Sequence, residues 1–286
     1  MSNEPRMTLN DGRTMPQLGF GVWRVAEDDA ATVVGQALAA GYRLVDTAAV
    51  YGNEEGVGSA LAAADLPRDD VFVTTKVRNG EQGFDSTLRA CEASLRRLGL
   101  EAVDLYLIHW PCPAGGLYVD TWKALVRLRE EGRTRSIGVS NFTPETLRRI
   151  IDATGVAPAV NQIELHPRFQ QRAMRALHAE LGIVTQSWSP LGSGFLRDRD
   201  ADRNLDADPT LAAIAAAHGK SWAQVVIRWH LQSGVAVIPK SSTPARIAAN
   251  RDVFDFTLSE AEMTAIAGLD DDRGGRGGPH PDEVNG

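Results

Sequence analysis

The chain has 286 residues, 43 % of them hydrophobic and 23 % charged, with 14 prolines and 27 glycines. That composition can bury a core and excludes an intrinsically disordered chain. Lys and Arg number 30 against 37 Asp and Glu, a formal charge of −7, which excludes a general nucleic-acid backbone binder but leaves room for one local anion site.

Taken from its beginning, the sequence MSNEPRMTLN lacks the apolar centre of a signal peptide. No apolar run reaches the roughly 20 residues that span a bilayer. A cytoplasmic protein without membrane or nucleic-acid partners is expected. Asp11-Gly12 then predicts a tight hairpin between two short extended runs. Beyond it, apolar runs suited to buried parallel strands recur at Leu18–Gly21, Arg43–Asp46, Val71–Lys76, Val103–His109, Ser136–Ser140, Val160–Glu164, Ile183–Trp188 and Val235–Pro239. Helical spacing fills the gaps at Asp28–Ala40, Glu54–Ala64, Ser86–Leu98, Val119–Glu131, Pro144–Ala153, Gln170–Leu181, Thr210–His218, Trp222–Leu231 and Pro244–Asn250. Gly41 and Gly132 mark stops, and Thr143-Pro144 a cap with a first-turn proline. Leu191–Asp208 reads as a charged lid or solvated loop, and the glycine-rich Arg273–Gly286 as chain without an element, disordered at its very end.

Strand and helix alternating eight times predict an α/β chain, a (β/α)8 TIM barrel with an N-terminal β-hairpin and a C-terminal loop. One domain is expected over 1–286, with the barrel at about 15–270 and the tail at 271–286. The competing doubly wound sheet should carry Gly-x-Gly-x-x-Gly, but Gly19-Phe20-Gly21 and Gly192-Ser193-Gly194 have Arg24 and Arg197 in place of the third glycine. Cys91 and Cys112 lack Cys-x-x-Cys spacing, so neither a disulfide framework nor a zinc ribbon is expected.

Barrel active sites form where strands end. Asp46 ends the second strand with Tyr51 five residues on, Lys76 ends the third, and His109 the fourth. Singly, these read as a loop cap, a solvent-seeking lysine or aromatic packing. Together they suit proton donation to a developing alkoxide. An ammonium at Lys76 favours the Tyr51 phenolate, Asp46 compensates a buried Lys76, and His109 can orient a carbonyl.

The runs GYRLVDTAAVYGNEEGVG, FVTTK, VDLYLIHWP, RSIGVSNF, AVNQIELHP and VIPKSSTPARIAAN resemble, in order, the signatures of the aldo-keto reductase superfamily. The WSPLG-like run, His218–Gln232 and His280–Val284 resemble the bacterial 2,5-diketo-D-gluconate reductases. The resemblance implies a NADPH-dependent monomer that reduces small carbonyl compounds, with Tyr51 as proton donor tuned by Lys76 and Asp46, and His109 positioning the carbonyl. It implies cofactor contacts from Ser140, Asn141, Gln162, Trp188, Leu191, Lys240, Ser241, Ser242, Arg246 and Asn250. Trp188 stands where most members carry a tyrosine, and Ala249 where relatives often have glutamate. Cations and hydroxyls around Thr243 and Pro244, at a helix start, favour NADP over NAD. Trp23, Val50, His109 and Trp110 are expected to wall the substrate pocket. Arg78 stands two residues after Lys76, where relatives often have tryptophan, and either favours acidic or hydroxylated substrates or points to solvent. Two other readings are a slow NADPH-binding sensor or regulatory subunit on the same barrel, and a metal-dependent hydrolase using His109, His166 and Asp46. No metal is expected.

Overall fold

The computed structural model describes residues 4–192 and 204–285. Most of the charged stretch at Leu191–Asp208, including Arg197, lies outside the described residues; Leu205 and Asp208 at its far end are buried. Strands β1 (Arg6–Thr8) and β2 (Thr14–Pro16) pair antiparallel around Gly12, whose φ of 84° suits glycine. The hairpin is the barrel's floor: Leu9 and Met15 are buried against Leu44, Leu105, Val160 and Val184.

After the hairpin the chain alternates β3 (Phe20–Gly21), α1 (Glu27–Ala39), β4 (Leu44–Asp46), α2 (Glu54–Ala63), β5 (Phe72–Val77), α3 (Phe84–Leu98), β6 (Val103–Ile108), α4 (Tyr118–Glu130), β7 (Thr134–Ser140), α5 (Pro144–Thr154), β8 (Val160–Glu164), α6 (Arg172–Glu180) and β9 (Val184–Trp188). Then come α7 (Pro209–His218), α8 (Trp222–Gln232), β10 (Ala236–Val237), α9 (Pro244–Arg251) and α10 (Glu260–Ala267). Strands β3 to β10 form one parallel sheet in sequence order. It closes on itself where Leu18 pairs parallel with Val237, and the Gly19 N–H donates to the Val237 carbonyl at 2.8 Å. This is the (β/α)8 barrel, with each crossover helix packed outside.

Small residues let the strands close. A Cβ on Gly138 of β7 would lie 2.6 Å from the Val160 carbonyl oxygen, a contact that backbone cannot relieve. Helix starts follow their sequence signals: Thr143 makes a capping box with Thr146, and Asp208 caps α7 through Thr210 and Leu211.

Two readings need correction. Helix α10 is absent from the sequence reading, although Ser259 and Glu262 form its capping box three residues apart. The tail is ordered through 285 against the expectation of disorder at its end. Its Gly277 and Gly278 are buried, and their amides donate to Glu164 at the end of β8. The RGGRGG run carries no periodic signal, since two backbone amides and the Arg276 stack on Phe169 hold it rather than an apolar stripe.

Candidate active site

A cavity of about 670 Å³ opens at the C-terminal ends of the strands. A larger groove of about 1040 Å³ runs between α2 and α3. Three of its arginines, Arg68, Arg97 and Arg135, already pair with Asp104, Glu54 and Asp69, and it lies apart from the strand-end residues that carry reactive groups.

At the cavity floor, Lys76 Nζ donates to Asp46 Oδ1 at 2.6 Å and to the Thr47 carbonyl at 2.9 Å, with both charged side chains buried. The other Asp46 oxygen accepts from Gln162 Nε2 at 2.7 Å, and that nitrogen also donates to Gln186 Oε1 at 2.7 Å. The bond from β8 to β4 crosses the barrel interior, so Gln162 and Glu164, two residues apart, face inward. Tyr51 sits on a single 3-10 turn, Ala49–Tyr51, closed by Gly52 at φ 66°. Asn53 anchors that turn by donating to the Val22 and Val25 carbonyls, each at 3.0 Å, and accepting from Thr47 Oγ1 at 2.7 Å. The Lys76 ammonium lies 5.2 Å from the Tyr51 ring centroid, and the His109 ring meets Tyr51 edge-on at 5.6 Å.

Burial pushes the Tyr51 phenol above its ordinary pKa, and the Lys76 charge only partly offsets this. Burial also works against the Lys76 ammonium, but Asp46 and Tyr51 outweigh it and hold Lys76 above its usual range. Burial, helped by Lys76, lowers His109 to about 3. At neutral pH the site therefore holds a phenol, an ammonium and a neutral imidazole.

Around the wall, Ser140 Oγ donates to the Gln162 carbonyl at 2.8 Å. Asn141, at φ 63°, donates to the His109 carbonyl and to Ser140 Oγ, each at 3.0 Å. Its Oδ1 accepts from Trp188 Nε1 at 2.8 Å. Helix α5 is capped by Thr143 instead, so Ser140 and Asn141 are not its cap. Arg24 stacks on Trp23, 4.3 Å from the ring. Arg24, Asn141 and Ser189, three non-glycine residues at positive φ, all line the cavity. Backbone held in this unfavourable region concentrates where surrounding structure enforces it.

Trp23, Val50, Trp110, Trp188, Leu191 and Lys240 also line the cavity. Lys240 Nζ donates to Ser242 Oγ at 3.1 Å, and burial together with the nearby Arg24 charge lowers its pKa. Among the described residues no carboxylate pairs with Arg24, Lys240 or Arg246. Ser241, Ser242, Arg246 and Asn250 lie beyond the cavity, on α9 and the segment entering it. Thr243 precedes α9 but makes no side-chain cap, which leaves first-turn amides for an anion. Arg78 is exposed and lines an adjoining cleft of about 400 Å³ with Val50, His109 and Trp110 instead of the main cavity.

His166 does not join His109 and Asp46; it is buried beside Glu164, at 3.2 Å. Among the described residues no group of three or more His, Cys, Asp or Glu could hold a metal. Cys91 and Cys112 are buried free thiols. Among the described residues no helix is long and apolar enough to cross a membrane. Sequence reasoning missed Arg24, Asn53 and Gln186, and also Pro279 and Val284, which bring the tail into the cavity wall. Arg24 had a signal in its place after Trp23 at a strand end; the others depend on contacts across the fold.

The Aldo/keto reductase family model matches residues 15–271 of this chain. The chain belongs to this family. It is 56 % identical over 281 residues to an aldo-keto reductase of Mycobacterium sp. (strain KMS), covering 98 % of each chain. Among solved structures, Gox0644 without ligand superposes with a TM-score of 0.92 at 52 % identity, over 99 % of this chain and 100 % of that one. A Bombyx mori aldo-keto reductase in complex with NADP gives a TM-score of 0.89 at 36 % identity, over 96 % of each chain. A variant of Gox0644 has been solved in complex with NADPH.

Proposed function

We propose that this chain reduces small aldehydes and ketones to alcohols with NADPH, using Tyr51 as the proton donor. The observation that carries this reading is the buried Asp46–Lys76–Tyr51 series, with neutral His109 at its edge, opening into one cavity.

The residues present fit the cofactor. Gln162 Nε2 is taken by the Asp46 carboxylate, which can only accept, so its Oε1 is the group left for a carboxamide N–H. Trp188 offers an aromatic face, and Ser140 and Asn141 offer polar edges. Arg24, Lys240 and Arg246 provide cations for phosphates, which supports NADP over NAD. When bound, the dinucleotide supplies the hydride.

The chain's own residues handle the proton and the charge. A neutral His109 can donate an N–H to a substrate oxygen without adding positive charge. Tyr51, kept protonated by burial, gives its proton to that oxygen as negative charge develops there. Lys76 then faces the phenolate left behind, an attraction on the order of 4 kcal/mol at 4 Å in a partly screened environment. Asp46 keeps Lys76 charged and in place, and Gln162 fixes Asp46.

Dicarbonyls and keto-sugar acids are the substrate types this reading favours, following the motif resemblance to 2,5-diketo-D-gluconate reductases. We propose a single catalytic domain over 1–286 acting as a cytoplasmic monomer. Incubating purified protein with NADPH and a panel of small dicarbonyls and aromatic aldehydes, while following absorbance of the reduced cofactor, tests the activity. Turnover is expected with several members; none with any would overturn the assignment.

A further inference from the structure

The carboxylate of Glu164 is given no chemical role above, yet it is buried at the inner rim of the barrel. Its Oε1 accepts from the Gly277 amide at 2.7 Å and its Oε2 from the Gly278 amide at 3.0 Å. Two successive backbone N–H groups converging on one carboxylate form an anion-binding concavity, here filled by the protein's own side chain. His166 Nε2 stands 3.2 Å from Oε1. A carboxylate only accepts, so this nitrogen carries a proton. Burial alone would raise the Glu164 carboxyl, but His166 and the two amides hold it below the usual range.

The clasp reaches the cavity through the next few residues. Gly278 packs so closely that a Cβ there would lie 2.7 Å from Trp188 Cη2 and 3.2 Å from Glu164 Oε2. Immediately after it, Pro279 lines the cavity, and Val284 lines it five residues further on. Arg276, just before, stacks over Phe169 at 4.6 Å.

We propose that Glu164 is a specificity-determining positioning residue: by clasping the Gly277–Gly278 amides it holds Pro279 and Val284 as one wall of the substrate cavity. The substrate part rests on the reductase reading; the clasp itself does not. The clasp is made to backbone amides at two glycines, whose lack of side chains lets Trp188 and Glu164 come close enough to hold the tail.

Two full-length variants test this from opposite sides. Glu164→Gln keeps the size but turns an N–H2 toward an amide donor, and Gly278→Ala drives a methyl into Trp188. Both should speed tryptic cleavage after Arg273 and Arg276, measured by mass spectrometry, while the rest of the chain keeps its resistance. With NADPH, both should raise KM for a small aldehyde about tenfold, the scale of one lost pocket contact. Glu164→Gln should change neither kcat nor NADPH affinity more than about twofold, whereas Gly278→Ala, which presses on Trp188, is read by tail cleavage and by KM; both should affect a bulky aromatic aldehyde less. The double variant should show less than the product of the single effects on KM.

Unchanged tail cleavage in both variants would overturn the clasp. Equal falls in kcat for small and bulky substrates would overturn the specificity role, since Glu164 would then be acting on the reacting centre. If Glu164→Gln fails to fold, Gly278→Ala decides the clasp by tail cleavage, and Val284→Ala, which removes part of the wall itself, decides the specificity role by whether KM rises more for the small aldehyde than for the bulky one. If the unaltered protein turns over no carbonyl but tail cleavage responds as expected, the reductase reading fails while the clasp stands.

Discussion

Tyr51 and Lys76 divide what a single acid would have to do alone. Sequence reasoning expects the Lys76 ammonium to draw the Tyr51 proton toward release, whereas in the folded chain burial of the phenol outweighs that pull. The proton thus stays on until an alkoxide is present to take it. Tyr51→Phe should lower kcat by about 10²–10⁴-fold, the range for a lost general acid. NADPH binding, followed by quenching of tryptophan fluorescence, should be unchanged; full activity in this variant would falsify the proton-donor role. Asp46, Tyr51, Lys76 and His109 were legible because reactive side chains at the ends of successive strands must share one rim. Glu164 and Asn53 were not, because their partners are backbone groups brought near only by the fold.

Among the elements, we propose that α9 carries the choice of cofactor and that the histidines on α6 and after β6 set the acid limit. Arg246 is exposed near the start of α9 and has no carboxylate partner among the described residues. Arg246→Ala should raise KM for NADPH several-fold, about 1 kcal/mol for a solvent-exposed phosphate contact, and leave KM for NADH unchanged. Steady-state kinetics with both cofactors checks this. On α6, His178 Nε2 accepts from Asn161 at 3.0 Å and Nδ1 donates to Thr185 at 2.9 Å, so the ring is neutral. Burial lowers its pKa to about 4, as burial and Lys76 lower that of His109 to about 3. With unfolded values near 6.5, the unfolded chain binds more protons below that pH, and stability falls with acid through this window. Each such histidine costs about 1.4 kcal/mol per pH unit there until the folded ring protonates. Urea midpoints should therefore drop from pH 7 to pH 5, and His178→Gln should flatten the slope. Strand positions were readable to within one or two residues because a strand buried on both faces is a continuous apolar run. Helix α10 shows the opposite failure: its capping box was present, but its body, Glu260–Ala267, buries only Ile266 and so presents no apolar stripe.

At the scale of the whole molecule, the barrel tolerates no added bulk where strands crowd. Gly138→Ala sets a methyl against the Val160 carbonyl at 2.6 Å and should destabilise the fold by about 1–3 kcal/mol, seen as a lower denaturant midpoint with unchanged slope. The net charge of −7 describes the surface as a whole, while Arg24 and Lys240 at the cavity and Arg246 beyond it on α9 are the cationic exception. The eight-fold alternation and the missing glycine fingerprint were enough to choose barrel over doubly wound sheet. The course of the tail was not legible, since glycines specify freedom and not direction. The barrel's closure has a consequence for how the chain assembles. Its first and last strands, Phe20–Gly21 and Ala236–Val237, are two residues each, and they meet through the bridge from Leu18 to Val237. Those partners are nearly the most distant in sequence, and the entropy lost in joining chain ends grows with the length between them. The seam should thus zip last, after neighbouring strands have already drawn the two ends together, and it should be the first place where amide protons exchange with solvent.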